Sequence, residues 1–160
     1  MSYEPRLGDF GVVKTSGFVG KLIRIGTASR WNHALIYIGK DEIVEANPKG
    51  VEVSPVSKYP TIAWNRHEDL TTNQRAMIAA RAMLAVGTSY SFTTIALIFF
   101  RIIGLRFLSN MKFFRNLGKK DGYICSELVA ECYRKSGLIL INKDDSLVVP
   151  GDLAERLVYQ

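Results

Sequence analysis

The sequence predicts a single α+β domain in which an antiparallel β-meander or partial barrel packs against helices. Short apolar runs separated by turn residues fill the amino-terminal part, and apolar residues at helical spacing fill most of the remainder. The chain has 160 residues, of which 48% are hydrophobic and 22% charged, as is ordinary for a globular protein. This length suffices to bury one core, so we expect one domain over residues 1–160.

The strands are expected in the amino-terminal part of the chain. A short first strand follows the Gly8-Asp9 turn, and short turns separate the later strands. These later strands are expected at 33–39, 42–46, 51–53 and within 61–66. Consecutive strands joined by such tight turns pair antiparallel, which is the basis for predicting a meander.

Helices are expected mainly in the second part. Thr71 or Thr72 is predicted to cap a helix that Gly87 closes. The run Ile95–Leu108 is apolar on all sides apart from two arginines, but it is shorter than the roughly 20 residues that a membrane-spanning helix needs. Further helices are predicted over Ser16–Thr27, from Cys125 to Gly137, and after Pro150 as far as Val158.

The net charge of +6 is unevenly distributed. Between Leu70 and Lys120 there is no Asp or Glu, whereas basic residues recur throughout. They are Arg75, Arg81, Arg101, Arg106, Lys112, Arg115, Lys119 and Lys120. We expect no nucleic-acid partner, because no recognition motif is present. Peripheral membrane contact through Ile95–Lys120 is one hypothesis, and burial of Ile95–Leu108 as a central helix is the favoured alternative.

Cysteine usage and the amino terminus bear on compartment and cofactors. Cys125 and Cys132 lie too far apart along one predicted helix to form a disulfide with each other. With the two histidines they match no zinc-ligand spacing, so neither a metal nor another cofactor is expected. The stretch Met1–Arg6 has no apolar region typical of a secretion signal, which favours a cytoplasmic location, with peripheral membrane contact or signal-independent export as alternatives. The oligomeric state is left open.

One stretch combines a cysteine with the start of a helix. Cys125 follows the Asp121-Gly122 turn and opens an apolar stripe at helical spacing. The stripe continues through Leu128, Val129, Cys132 and Tyr133. Free N–H groups and the dipole at a helix amino end stabilise a thiolate, although the anion Glu127 should weaken this effect. Cys125 is therefore the candidate nucleophile, while Cys132 is expected in the core.

A cysteine nucleophile needs a base, and histidine is the usual one because its pKa lies near neutrality. His33 opens an apolar strand after a polar loop, so its ring can point from the sheet edge into a groove. His67 lies in a charged run that favours solvent exposure. We therefore take His33 as the candidate base, the alternative being a structural, hydrogen-bonded histidine.

A third residue must fix the tautomer of the imidazole. If a hairpin turns near Lys40-Asp41, the strand that contains Glu45 lies beside the His33 strand, and the two side chains can approach on one face. Glu45 is the candidate orienting residue, and Asn47 is the second choice. Without this pairing, Glu45 is equally well interpreted as a surface residue.

Six short motifs follow one another along the chain: Gly8-Asp9, Asn32–Gly39, Val44-Glu45-Ala46, Gly87–Phe92, Tyr123–Val129 and Pro150–Leu153. Their order and spacing resemble the circularly permuted NlpC-type papain-like cysteine hydrolases. The YiiX-like branch is the most similar, and the lecithin:retinol acyltransferase-like enzymes are more distant. The resemblance implies a permuted papain-like fold with Cys125 as nucleophile, His33 as general base and Glu45 as orienting residue.

Three functional hypotheses follow. The resemblance implies a thiol hydrolase that cleaves an amide or peptide bond, such as one in a cell-wall peptide, through an acyl-enzyme. The same site can act on a lipid or fatty-acyl substrate as a hydrolase or acyltransferase, a hypothesis motivated by the basic, apolar segment Ile95–Lys120. The third hypothesis is a non-catalytic binding module, which has no need of an intact Cys, His and Glu.

Overall fold

The computed structural model describes residues 3–16, 29–65, 69–91 and 122–157. The strands are β1 Phe10–Val13, β2 His33–Gly39, β3 Glu42–Asn47, β4 Gly50–Pro55 and β5 Ala63–Trp64. The helices are α1 Thr72–Leu84, α2 Cys125–Arg134 and α3 Pro150–Ala154, with short 3-10 helices at Val56–Lys58 and Asp145–Leu147. The helix predicted after Ser16, His67, and the segment Ile95–Lys120 lie outside the described residues.

The five strands form one antiparallel sheet in the order β4-β3-β2-β1-β5. This confirms the predicted α+β class, with the sheet packed against helices. β1 to β4 form the expected meander, whereas β5 returns to the free edge of β1 instead of pairing with β4. Gly11 accommodates this return, since a β-carbon there would lie 2.4 Å from the side chain of Ile62.

The hairpin between β2 and β3 fixes the register on which the candidate site depends. Its turn lies at Lys40 and Asp41, as predicted, and both residues have positive φ, 54° and 57°. Positive φ at both central residues is typical of the tight turns that match the twist of a β-hairpin. The resulting register pairs Leu35 with Glu45, so His33 lies diagonally across from Glu45 on the same face.

Side chains alternate between the two faces of the sheet. One face forms the main core with the helices, through residues that include Phe10, Val12, Ala34, Ile36, Val44, Ala46, Leu128, Val129 and Tyr133. The second face carries a smaller apolar cluster of Val13, Leu35 and Ile43, covered in part by Val56 and Tyr59. Alternation along β2 and β3 places His33 and Glu45 on this second face.

The helices begin where the sequence predicts. Thr71 caps α1, because its hydroxyl accepts a hydrogen bond from the backbone N–H of Gln74 at 3.2 Å. Helix α2 begins at Cys125 and ends at Arg134, before the left-handed Gly137 (φ 88°). Helix α3 is shorter than predicted and ends at Ala154. None of the described helices has both the length and the apolar character needed to cross a membrane.

A buried ion pair ties the amino-terminal loop to the helices. Asp9 has no exposed surface and accepts a hydrogen bond from Arg75 of α1 at 2.7 Å. Gly8 (φ 80°) lies so close to α1 that a β-carbon there would be 2.8 Å from the carbonyl oxygen of Arg75. The hydroxyl of Tyr133 in α2 donates to the carbonyl of Gly8 at 2.7 Å. The Gly8-Asp9 motif therefore holds both helices against the sheet.

Candidate active site

Helix α2 presents Cys125 at its first residue, where the backbone N–H groups lack partners within the helix. The residue is 2% exposed and belongs to the main core, with Leu128 and Val129 of the same helix packed beside it. Ser126 anchors this first turn by donating its hydroxyl to the carbonyl of Val148 at 2.5 Å. The thiol is thus held at the end of a helix whose start is fixed by side-chain packing and a hydrogen bond.

The ring of His33 lies between Cys125 and Glu45. Its Nε2 is 2.5 Å from Oε2 of Glu45. The Cys125 side chain is near enough to the ring to act on its pKa. With Nε2–H donating to a carboxylate, the neutral ring keeps Nδ1 free to accept a proton. This is the tautomer that a base for Cys125 requires.

Glu45 is a carboxylate without exposed surface, and its partners are all hydrogen-bond donors. The Nζ of Lys58 lies 2.5 Å from Oε1, while the hydroxyl of Tyr59 donates to Oε2 at 2.5 Å, the same oxygen that His33 contacts. Burial alone raises the pKa of Glu45, but hydrogen bonds and charge from His33, with Lys58 and Ser54, outweigh it and hold this pKa well below its usual range. The carboxylate is therefore ionised at neutral pH.

The charges around His33 favour its protonated form. Burial lowers the pKa of the ring, but the negative charge and hydrogen bond of a Cys125 thiolate, together with those of Glu45, raise it to about 9. An imidazolium that persists to this pH stabilises a thiolate beside it. The surroundings of His33 thus favour its imidazolium form at neutral pH.

A second aromatic residue, Tyr90, approaches Cys125 from the loop that follows α1. Tyr90 pairs with Tyr123 in a short parallel bridge, two residues before Cys125. Burial raises the pKa of Tyr90 well above its usual range, and the charge of Cys125 raises it further, so the phenol remains protonated. The close approach depends on Gly122, because a β-carbon there would lie 2.1 Å from the carbonyl oxygen of Ser89.

Glu127 differs from the sequence-based expectation of a simple anion in the first turn. Its carboxylate accepts a hydrogen bond from the backbone N–H of Ile124 at 3.4 Å. Burial is the main cause that raises the pKa of Glu127, to about 7, so the side chain is close to half neutral at neutral pH. Its opposition to the Cys125 thiolate is correspondingly weaker than a fully charged carboxylate would exert.

The structure brings Cys125, His33 and Glu45 together, as the sequence-based hypothesis requires. Asn47, the second choice for the orienting role, instead donates to Glu52 at 2.6 Å. Cys132 is 4% exposed, and burial raises its pKa to about 12, in agreement with its expected place in the core.

Sequence reasoning missed Lys58 and Tyr59, the other two contacts of Glu45. One signal for a cation was present. Glu45 and Glu52 lie on adjacent predicted strands, and like charges that face each other across a hairpin require a counter-charge.

A metal ion does not fit this arrangement. Within residues 3–16, 29–65, 69–91 and 122–157, no three His, Cys, Asp or Glu side chains converge into a set that could hold one. Both oxygens of Glu45 already accept hydrogen bonds, and a metal on Oε1 would have to displace the ammonium of Lys58.

The fold and site together define an α+β protein whose antiparallel sheet and helices enclose a buried Cys–His–Glu cluster. A similar solved structure is that of the metalloprotein YiiX from Escherichia coli O157:H7, of the family DUF1105. It matches with a TM-score of 0.64 and 18% sequence identity, over 86% of this chain and 70% of YiiX. No protein-family model matches the sequence, and no curated protein matches it either. The chain therefore has a YiiX-like fold.

Proposed function

We propose that this protein is a cysteine hydrolase of the permuted papain-like, NlpC type that cleaves an amide or peptide bond. The observation that carries the proposal is the buried cluster in which Glu45 holds His33 and Cys125 acts on the His33 ring, with the cysteine at a helix amino terminus. A buried histidine held by an ionised carboxylate and facing a thiol is the arrangement that nucleophilic catalysis by cysteine requires. The YiiX-like fold and the sequence resemblance support the same class.

The first half of the proposed reaction forms an acyl-enzyme. Nδ1 of His33 takes the thiol proton, and the Cys125 sulfur attacks the carbonyl carbon of the substrate. The backbone N–H of Cys125, at the first residue of α2, can donate to the oxyanion of the tetrahedral intermediate. As the C–N bond breaks, His33 returns the proton to the leaving amine, and a thioester with Cys125 remains.

The second half releases the acid. Nδ1 of His33 takes a proton from water, the resulting hydroxide equivalent attacks the thioester, and the Cys125 thiolate leaves. An alcohol or amine in place of water gives an acyltransferase with the same proton transfers. Glu45 stays ionised throughout and stabilises each imidazolium that forms.

A second candidate keeps this site and exchanges the substrate for a lipid or fatty-acyl compound at a membrane surface. The observation in its favour is the stretch between Leu70 and Lys120, which has no acidic residue and, besides Arg75 buried against Asp9, seven basic ones. Such segments bind anionic headgroups, and each basic residue near the surface contributes about 1 kcal/mol. The two candidates differ only in what enters the site beside Cys125.

An acyl-trapping experiment tests both. The wild-type protein is incubated with p-nitrophenyl acetate, p-nitrophenyl palmitate and a cell-wall peptide, and the acyl group on the protein is located by mass spectrometry. We expect an acyl group on Cys125, and Cys125→Ala should reduce turnover by at least about a thousandfold. Preference for palmitoyl over acetyl and peptide donors would favour the second candidate.

Cys132→Ala is the matched control, since Cys132 lies on the same helix but is buried and has a raised pKa. This variant should keep its turnover. Turnover retained by Cys125→Ala would contradict the proposal. The absence of both turnover and an acyl-enzyme with every donor would also contradict it and leave a binding module as the better interpretation.

A further inference from the structure

The segment that follows β4 covers Glu45 from the second face of the sheet. Glu45 pairs directly with Glu52 across the β3–β4 hairpin, so two carboxylates lie side by side. Like charges in such a pair repel each other. The short helix Val56–Lys58 then turns the chain back over these two residues and brings Lys58 and Tyr59 onto them.

The ammonium group of Lys58 is fully engaged. It lies 2.5 Å from Glu45, 3.2 Å from Glu52 and 3.1 Å from the hydroxyl of Ser54. A lysine ammonium has three N–H donors, and here each has one acceptor. Although 37% of the Lys58 side chain is exposed, these three contacts fix its head group between the two carboxylates.

The phenol of Tyr59 restrains both partners of the His33–Glu45 contact. Its hydroxyl donates to Oε2 of Glu45, and its ring centroid lies 5.8 Å from that of His33 at a tilt of 47°. Burial, then the hydrogen bond to Glu45, raises the pKa of Tyr59 well above its usual range, so the phenol remains a donor. One oxygen of Glu45 thus has a cation and the other has two donors, which fixes the plane of the carboxylate.

We propose that Lys58 and Tyr59 are positioning residues of the Cys125 site, which keep the buried Glu45 ionised and oriented towards His33. The inference rests on the proposed function, since it concerns the same cluster. The physical reason is that Glu45 has no exposed surface, and burial of a carboxyl group favours its neutral form. A neutral Glu45 could no longer stabilise the imidazolium of His33 or the thiolate beside it.

A positioning role for Lys58 and Tyr59 predicts a change in the pH dependence of Cys125 reactivity. A purely structural contact within the hairpin does not predict this change. The groups that face Glu45 are His33, Lys58 and Tyr59, with Ser54 and Glu52 at the edge. Loss of the Lys58 cation leaves the imidazolium of His33 as the counter-charge in contact with Glu45, so Glu45 should take up a proton at a higher pH. As the pH falls, the reactive thiolate of Cys125 should then be lost at a higher pH than in the wild type. Alkylation at neutral pH should change less.

The test measures alkylation of Cys125 by iodoacetamide against pH, in a Cys132→Ala background so that one cysteine reacts. Lys58→Met keeps a long side chain but removes the charge. In this variant the pH at which alkylation is lost on acidification, the acid limb of the profile, should rise by about one pH unit or more. Tyr59→Phe should shift it in the same direction by less. Lys58→Arg, which keeps the charge, should restore the wild-type limb.

Two matched controls separate this effect from general perturbation. Lys135→Met removes a lysine paired with Glu131 on α2, and Tyr37→Phe removes a phenol from β2, neither of which contacts Glu45. Neither control should shift the limb. Thermal melting reports folding, and Tyr59→Phe carries the test alone if Lys58→Met does not fold.

An acid limb that stays at the wild-type pH in both Lys58→Met and Tyr59→Phe would overturn the positioning role. Failure of the proposed function gives a different result. In that case wild-type Cys125 itself alkylates like a free thiol, with an apparent pKa near about 8.5, and forms no acyl-enzyme.

Discussion

Two carboxylates, Asp9 and Glu45, are both without exposed surface, yet their partners differ in kind. Asp9 accepts hydrogen bonds from Arg75, from the phenol of Tyr3 and from the backbone of Arg6. Arginine has no proton to give up near neutral pH, so this cluster can only join segments of the chain. Glu45 contacts a histidine, whose proton can move. Both buried carboxylates have hydrogen-bond donors around them. The type of partner determines whether the carboxylate has a structural or a chemical role.

The largest expected effect comes from removing the charge of Glu45 while keeping its shape. Glu45→Gln should lower turnover by about a thousandfold to ten-thousandfold, because the amide no longer stabilises the imidazolium and can hold the wrong tautomer. Steady-state kinetics with the best acyl donor measure this loss, and circular dichroism checks the fold. Glu52→Gln, directly opposite on β4, is the comparison and should cost less than about tenfold because Glu52 does not contact His33. Equal losses in the two variants would contradict the distinction.

The second prediction concerns the structural member of the pair. Asp9→Ala leaves the guanidinium of Arg75 buried without its carboxylate, and the free energy of unfolding should fall by about 3–5 kcal/mol. Urea denaturation measures this change. The fraction that remains folded should still alkylate at Cys125.

Asp145→Ala is the matched comparison, since it removes the partly exposed ion pair with Arg134. Its cost should stay within about 1 kcal/mol. If Asp9→Ala were no more destabilising than this, the buried pair would not be what secures the helices.

The third prediction uses pH. Turnover should decline as pH rises through about 9, since His33 then loses the proton that it gives to the leaving group. Stability changes in the same direction: the contribution of the raised His33 pKa is complete below the unfolded value of about 6.5 and is lost as pH passes about 9. Titration of labelled His33 by NMR measures it directly. In Glu45→Gln the midpoint should fall, and an unchanged midpoint would show that Glu45 does not influence the ring.

The sequence was informative where local patterns determine the result. Alternation and turn residues predicted β2, β3 and the hairpin between them, and that hairpin alone suffices to place Glu45 beside His33. Helical spacing placed Cys125 at a helix start in the same way. A signal for each of these features lies within a few residues of it.

Contacts between distant segments could not be predicted in this way. Asp9 and Arg75 are 66 residues apart, and no local pattern pairs them. Lys58 and Tyr59 reach Glu45 only because the turn after β4 folds over one particular face of the sheet. Likewise, β5 pairs with β1 because Gly11 leaves room for the crossing chain, which no strand pattern reveals.

The contact of Gly122 with Ser89 has a consequence for the position of the helix that carries Cys125. The backbone N–H of Tyr123 donates to Ser89 at 3.0 Å, and that of Ser91 donates to Tyr123 at 3.1 Å. These two backbone hydrogen bonds join the segment 89–91 to Tyr123, two residues before Cys125. A β-carbon at residue 122 would collide with the carbonyl of Ser89 and so displace the start of the helix that presents Cys125.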